Sequence, residues 1–343
     1  MPEVYVETIA QLERKLAEPS EDLTEDIAAL EGDVLILGVS GKVGPGLARQ
    51  ARNAIDKAGV DKRVIGVARF TDKGLAEELQ RAGIQTIAAD LTDDRQLQEL
   101  PDVENVVYMI GNKFGTSGNE HFTWMMNAYL PGRVAERFRN SRIVAFSTLL
   151  VYPLTPIKLG GSMEHHAPGP VGEYAQSCLG RERVFEHFSR KHGTPVMLFR
   201  LAYAIETRYG VLLEIAQAVK NGEPIDLRMG HVSVIWQGDA TEMALRSLNV
   251  CDTPPRIVNI SGPELVSVRW LAERFGEHFG AAPEFSSEEA ETSFVINATQ
   301  AHRLFGYPKV DLPEMIEWVA QWLESDGETA NKPTRFQQRK GYF

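Results

Sequence analysis

The segment Gly38-Val39-Ser40-Gly41-Lys42-Val43-Gly44 carries the most readable chemistry in this chain. It directly follows the apolar run Val34-Leu35-Ile36-Leu37 and opens a helical pattern over Gly46–Ala58. In that context one glycine permits a tight turn and another lets backbone approach a pyrophosphate. A third lets the helix pack on the strand, with the phosphates at the helix N-terminus. Gly38, Ser40, Gly41, Lys42, Val43 and Gly44 are therefore candidates to bind a dinucleotide. The spacing is G-x-x-G-x-x-G rather than G-x-G-x-x-G, and a merely flexible turn is the alternative reading. A Walker-type phosphate loop is excluded, because Ile36 stands where its first glycine belongs and Val43 replaces its Ser/Thr. The second strand pattern ends Val67-Ala68-Arg69-Phe70. An NAD-selective site would place a carboxylate there, on the adenosine ribose. Ala68 has none, whereas the Arg69 guanidinium suits a 2′-phosphate, so NADP is favoured and NAD stays possible. A plain surface arginine is the alternative for Arg69.

Other reactive side chains give weaker signals. Cys178, early in a helical pattern with Arg181 and Arg183 nearby, can be read as a reactive thiolate or as a small buried filler. Glu164-His165-His166 lacks a second ligand pair in register, so no metal is expected. Neither a G-x-S-x-G elbow nor an H-E-x-x-H helix occurs, which removes the commonest hydrolase classes.

The elements that must position these residues alternate. After two amphipathic helices within 7–30, strand and helix patterns succeed one another. The strands read at Arg63–Ala68, Thr86–Ala89, Asn105–Ile110, Arg142–Phe146 and Pro195–Arg200, and the helices at Gly74–Ala82, Trp124–Phe138 and Tyr174–Lys191. Repeated βα units predict an α/β fold, a Rossmann-type doubly wound parallel sheet with a smaller, discontinuous C-terminal lobe. Beyond Arg200 the pattern loosens, with a strand at Ile257–Ile260 and helices at Arg269–Phe279 and Met315–Leu323. The expected organisation is a helical extension at 1–30, a dinucleotide-binding domain at 31–204 to which 232–262 returns, a substrate lobe at 205–330 and a tail at 331–343. That tail is basic and aromatic and has no regular period.

The chain has 343 residues, 43% hydrophobic and 24% charged, with a formal net charge of -11. Such a surface repels phosphate backbones, so nucleic acid is not an expected partner. No apolar run suits a membrane helix. Two cysteines far apart argue against a disulfide framework, and the opening Met-Pro-Glu-Val-Tyr lacks export-signal character, so the cytoplasm is the expected compartment.

The order of motifs resembles the extended short-chain dehydrogenase/reductase family, in its NAD(P)-dependent epimerase/dehydratase branch, from about Asp33 to about Leu323. Asp90-Leu91 sits where that family reads the adenine. Val107-Tyr108-Met109-Ile110-Gly111 is similar to its fourth-strand cofactor wall, and Asn127 lies where it keeps a helix asparagine. The stretch Phe146–Tyr152 is similar to its active-site strand end, which implies Thr148 as the catalytic hydroxyl. Glu173–Glu182 is similar to its active-site helix, which implies Tyr174 as acid/base. Arg200-Leu201-Ala202-Tyr203 resembles the segment beside the nicotinamide, with Tyr203 where asparagine is commoner.

The family's Tyr-x-x-x-Lys reads Tyr174-x-x-x-Cys178 here. Within the family that ammonium holds the nicotinamide ribose and lowers the tyrosine pKa. A tyrosine near its usual pKa of about 10 is only about 0.1% ionised at pH 7, so the sequence favours carbonyl polarisation or reduction over oxidation by tyrosinate. Lys113, after the fourth strand, and Lys158, after the active-site strand, are candidate replacements, Lys113 being the better placed. The resemblance implies a hydride-transfer enzyme acting on a carbohydrate-like ketone or alcohol, and a homodimer. Substrate would be gripped by 153–170 and by Arg208, Tyr209, His231 and Trp236. The other reading is a dinucleotide-binding sensor or scaffold whose chemistry decayed with the lysine.

Overall fold

Seven short segments rich in Val, Ile and Leu align as one all-parallel sheet in the computed structural model, which describes residues 6–72 and 74–342. The opening Met-Pro-Glu-Val-Tyr and the tail's final Phe343 lie outside the described residues. The strands are β1 Val34–Leu37, β2 Val64–Ala68, β3 Gln85–Ala88, β4 Asn105–Tyr108, β5 Arg142–Thr148, β6 Val196–Leu201 and β7 Arg256–Ile260. Their spatial order is β3-β2-β1-β4-β5-β6-β7.

The inner strands are largely apolar on both faces because both faces are covered, while the edge strand β3 stays part-exposed. Ile36, Val107, Val144 and Phe199 pack with Leu47, Ala51 and Ile55 of the helix Gly44–Ala58 and with Leu23 and Ile27 of the helix Glu21–Ala29. Leu35, Leu37, Val106, Tyr108 and Ala145 pack the other way, against Val134, Phe138 and Phe185. Each such side chain, fully buried, contributes about 1.5–3 kcal/mol from apolar area alone. Strand order reverses at β1/β4, where Leu37 pairs with Tyr108, and the crevice beyond those two strand ends is where such sheets bind ligands.

After Leu201 the chain enters a second apolar cluster. The helices Val211–Asn221, Val268–Phe279 and Leu312–Glu324 gather there around Trp236, Phe275, Trp318, Trp322 and Phe336. The first helix, Ile9–Leu16, adds Leu12 and Leu16 to that cluster. The helix Gln237–Arg246 returns to the sheet layer, and β7 completes the sheet beside β6. No described helix is long and apolar enough to cross a membrane.

Two sequence expectations need correction. The single helix expected over Trp124–Phe138 is three pieces: Glu120–Trp124, a π-helical turn Met125–Tyr129, and Leu130–Arg137. Pro131 explains the break. It has no N–H for the Asn127 carbonyl, and its ring would crowd that carbonyl in a continuous helix. Helices Val211–Asn221 and Gln237–Arg246 escaped the periodicity reading. The first sets a narrow polar stripe of Glu214, Gln217 and Lys220 against a wide apolar face, and the second buries its polar residues Gln237, Asp239, Thr241 and Glu242.

A buried polar network fixes the long helix Gly172–His192 against the sheet. Glu182 receives Arg200 Nε at 2.9 Å and Nη2 at 2.6 Å, and the Ser147 hydroxyl donates to it at 2.5 Å. Arg200 also donates to the Tyr152 hydroxyl at 2.6 Å, which donates to Asn259 Oδ1 at 2.9 Å. The network thus ties one helix to β5, β6 and β7. Both members of the ion pair are essentially solvent-free, so removing one strands a charge. Glu182→Ala is expected to cost about 3–5 kcal/mol in urea unfolding, with Glu182→Leu/Arg200→Met recovering much of it. A loss below about 1 kcal/mol for the single variant would show that the pair does not lock this helix.

Candidate active site

The turn after β1 is built for close approach. Gly38 has φ +91°, and a Cβ on Gly44 would lie 2.3 Å from the Val39 carbonyl oxygen, so neither position accepts a side chain. Val43 stands at the N-cap of Gly44–Ala58 without a side-chain cap; Gly44 N donates to Gly41 O at 3.0 Å and Pro45 has no N–H, so it is the helix's positive end that the turn presents to an anion. These features fit a dinucleotide diphosphate.

A cleft of about 340 Å³ opens beside that turn. Gly38, Ser40, Gly41, Ala68, Arg69, Asp90, Leu91, Ile110 and Gly111 line it, so most of the residues expected to bind a cofactor converge. Lys42, Val43 and Gly44 continue the same turn. Arg69 is exposed at the rim, and its charge helps hold the Asp90 carboxyl below its usual range, after the larger effect of hydrogen bonds from Thr92. Leu201 ends β6 and Ala202 follows it, its N–H donating to Ile260 O at 2.9 Å.

Tyr174 lies in the first turn of Gly172–His192, with Cys178 and Arg181 on the same face at i+4 and i+7. Its phenol is within hydrogen-bonding reach of the Cys178 thiol and the Thr148 hydroxyl. Burial pushes that phenol well above the usual tyrosine range, the Cys178 thiol adds to the rise, and Arg181 and Thr148 pull against it. Thr148 ends β5, its Oγ1 accepting from Leu150 N at 3.2 Å to start the next turn. Cys178 is wholly buried, and burial pushes its thiol up, so it is not an activated thiolate.

The charges of Arg181 and Lys113 both act on Cys178. Arg181, only 5% exposed, donates to Phe146 O at 2.7 Å, to Asn127 Oδ1 at 3.0 Å and to Asn127 O at 3.3 Å. The last acceptor is the carbonyl that Pro131 leaves without a helix donor. Asn127 Oδ1 also accepts from Asn112 N at 2.7 Å, and its Nδ2 donates to Asn112 O at 2.9 Å and to Ser177 Oγ at 3.0 Å. The Asn127 side chain thus clamps the backbone next to Lys113. Gly111 allows this arrangement, since a Cβ there would lie 2.7 Å from Arg181 Nη2.

Lys113 donates to Thr334 O at 3.2 Å, its ammonium lies 5.2 Å from the Phe114 ring centre, and its charge acts on the Cys178 thiol. Desolvation lowers its pKa to about 8, against the attraction of Glu214. Lys42 donates to Ala204 O at 3.1 Å and lies 4.0 Å from the Tyr209 ring centre. Although its residue surface opens to solvent, desolvation among the surrounding groups lowers its pKa to about 7. Lys158, the other candidate replacement, is exposed on the turn Ile157–Leu159.

Several expected substrate contacts take other roles. Trp236 is 2% exposed and meets Trp318 edge to face in the second cluster, so it is core. Arg208 is held by Glu13 at 2.9 Å and Glu206 at 3.0 Å. The rings of His165 and His166 meet edge to face, and among the described residues no metal-holding group of His, Cys, Asp or Glu occurs. Glu214, Arg181 and Thr334 escaped the sequence reading as site residues. Only Arg181 left a usable signal, its helical spacing from Tyr174.

The family model described as the NAD dependent epimerase/dehydratase family matches residues 34–243. No curated protein matches the chain in sequence. Solved structures do match in fold. The UDP-glucose 4-epimerase of Thermus thermophilus, in complex with NAD, has a TM-score of 0.69 at 18% identity, over 85% of this chain and 99% of that one. The Thermotoga maritima UDP-glucose 4-epimerase with UDP-glucose gives 0.69 at 17% identity, over 86% and 99%. The Bacillus cereus UDP-glucuronic acid 4-epimerase, in complex with UDP-glucuronic acid and NAD, gives 0.69 at 16% identity, over 85% and 99%. The family match covers the glycine turn, the strand carrying Thr148 and the helix carrying Tyr174, and the chain belongs to the NAD dependent epimerase/dehydratase family.

Proposed function

We propose that this chain is a nicotinamide-dinucleotide enzyme acting on a sugar-derived ketone or alcohol, with Tyr174 and Thr148 hydrogen-bonded to the reacting oxygen. The observation that carries the reading is the Tyr174 phenol. It shares one face of its helix with Arg181, lies in reach of Thr148 and is held protonated by burial. The cofactor supplies hydride transfer when bound. The chain's own part is to bind, orient and protonate.

The positive end of Gly44–Ala58, with Lys42 beside it, suits the diphosphate. Lys113 would take the place of the missing helix lysine in holding the cofactor ribose. Because Tyr174 resists ionisation, the site donates a proton to a carbonyl more readily than it abstracts one from an alcohol. Keto-sugar reduction, or polarisation of a keto form, is therefore the favoured direction. The epimerases of similar fold act on UDP-sugars, and a sugar or nucleotide-sugar is the substrate class to test first.

Arg69 at the cleft rim, with Ala68 in place of a carboxylate, favours NADP over NAD. The exposed aromatics Trp124 and Tyr129 beside the long helix suit pairing with a second copy. Sedimentation should then give a dimer that Tyr129→Glu weakens, and a monomeric wild type would refute the pairing.

With a panel of keto-sugars and UDP-sugars followed at 340 nm, Tyr174→Phe is expected to slow turnover about 10²–10⁴-fold while cofactor binding holds. Turnover equal to or faster than wild type would remove Tyr174 from the chemistry. Persistent silence of the wild type alongside tight cofactor binding would instead favour a sensor. In parallel titrations, Arg69→Ala is expected to weaken NADPH binding about ten-fold and leave NADH unchanged, in keeping with the loss of a charged hydrogen-bond donor. Tighter NADH than NADPH binding in wild type would refute the NADP preference.

A further inference from the structure

We infer that the C-terminal strap, acting through Thr334, is a positioning element of the active site that holds Lys113 in place as the substitute cation. The inference rests on the reading of Lys113 given above.

The strap crosses from the second lobe to the catalytic helix. Ala330 N donates to Arg208 O at 3.0 Å, and Thr334 binds the Glu214 carboxylate through both its N–H and its hydroxyl, the latter at 2.9 Å. Phe336 is 1% exposed within the second apolar cluster. Farther along, Arg339 donates to Arg228 O at 2.6 Å and to Thr292 O at 2.7 Å. The strap then reaches the start of Tyr174's helix, so closely that a Cβ on Gly172 would lie 2.5 Å from Gly341 O.

Between these anchors, Thr334 turns its carbonyl oxygen to the Lys113 ammonium at 3.2 Å. A strap that served only to bury Phe336 would have no need of this contact. A lysine on a loop has a flexible stem and an ammonium that prefers water. Here it is held from two sides: the Asn127 clamp fixes the backbone beside it, and the strap fixes its head. Among the described residues, the titratable groups acting on that head include Glu214, Cys178, Arg335 and Lys42, and both Lys113 and Arg335 lie against the Phe114 ring. Glu214 anchors the strap and attracts the ammonium, so one carboxylate serves both contacts.

The test reads Lys113 without needing a substrate. Lysines of the full chain are reductively methylated with ¹³C-formaldehyde and titrated by NMR, the Lys113 resonance being the one absent from Lys113→Met. Thr334→Val removes the hydroxyl that Glu214 holds, and Phe336→Ala removes the buried anchor; neither changes a charge near Lys113. Uncovering the ammonium relieves desolvation, so its pKa should rise from about 8 toward the ordinary 10.5 in both variants. Its labelling should quicken in both variants, since local opening of the strap exposes the amine. Thr334→Ser, which keeps both donors to Glu214, should behave as wild type. Unchanged Lys113 titration and labelling in both strap variants would overturn the inference, as would Thr334→Ser behaving like Thr334→Val. The underlying reading is judged separately: NADPH binding by Lys113→Met as tight as wild type would remove Lys113 from the cofactor site, while the labelling result would still decide the strap.

Discussion

One side-chain amide sets the geometry on which the site depends. Asn127 is held in a helix that cannot close normally, because Pro131 withholds the hydrogen bond that the Asn127 carbonyl would otherwise receive. The π-helical turn turns that carbonyl outward to Arg181, and the carboxamide binds the backbone of Asn112 through both its oxygen and its nitrogen. A π-helical turn is a costly irregularity that recurs at functional sites. Here its effect is specific. It joins the segment after β4, the helix bearing Tyr174 and a buried guanidinium into one hydrogen-bonded unit. None of these contacts requires a lysine on the catalytic helix, so Cys178 can be small and apolar without leaving a charge unpaired.

Where positive charge sits then decides how the phenol behaves. Arg181 lies beneath Tyr174 and favours ionisation, yet desolvation acts more strongly, and the neighbouring thiol offers no countercharge. A buried phenol that stays protonated is a donor. Lys113 and Lys42 differ from Arg181 in kind. They are amines on loops, with pKa values drawn down to about 8 and about 7, so each sits close to the point at which it exchanges a proton at physiological pH. A diphosphate or ribose arriving beside them would stabilise their charged forms. A dinucleotide held against these amines would then bind with proton uptake, its affinity falling as pH rises through that range.

Much of the sheet was legible in the sequence, and the reason is physical. Strands buried on both faces read as unbroken apolar runs, and βα repetition leaves few topologies. Val34–Leu37 shows the first, and the alternation of strand and helix patterns from Val34 to Arg200 shows the second. The second lobe was harder to read. Val211–Asn221 has only a narrow polar stripe, Glu214, Gln217 and Lys220, and Gln237–Arg246 buries polar side chains, which blurs its amphipathic pattern. Within the site, residues fixed by local sequence were readable: the turn at 38–44, Thr148 and Tyr174. Those fixed by tertiary contact were not. Glu214 looks like a lone acid on an apolar helix, and Thr334 sits in a segment without period. Trp236 looked like a substrate contact and is core, because a tryptophan after an apolar strand carries no mark of which way it faces.

Cys178 is enclosed by polar contacts drawn from three separate parts of the chain: the Arg181 guanidinium, the Asn127 clamp and the strap's carbonyl on Lys113. Desolvated cations are costly to assemble unless they are paired or used. Among the described residues Arg181 pairs with no carboxylate and is held by carbonyl and carboxamide oxygens alone. A buried charge held in this way favours negative charge in the adjoining cleft. The glycine turn directs an uncapped helix end to that same cleft. Two independent sources of positive potential converging on one crevice are what an anionic cofactor requires, and a fold kept only for its shape would have no reason to maintain them.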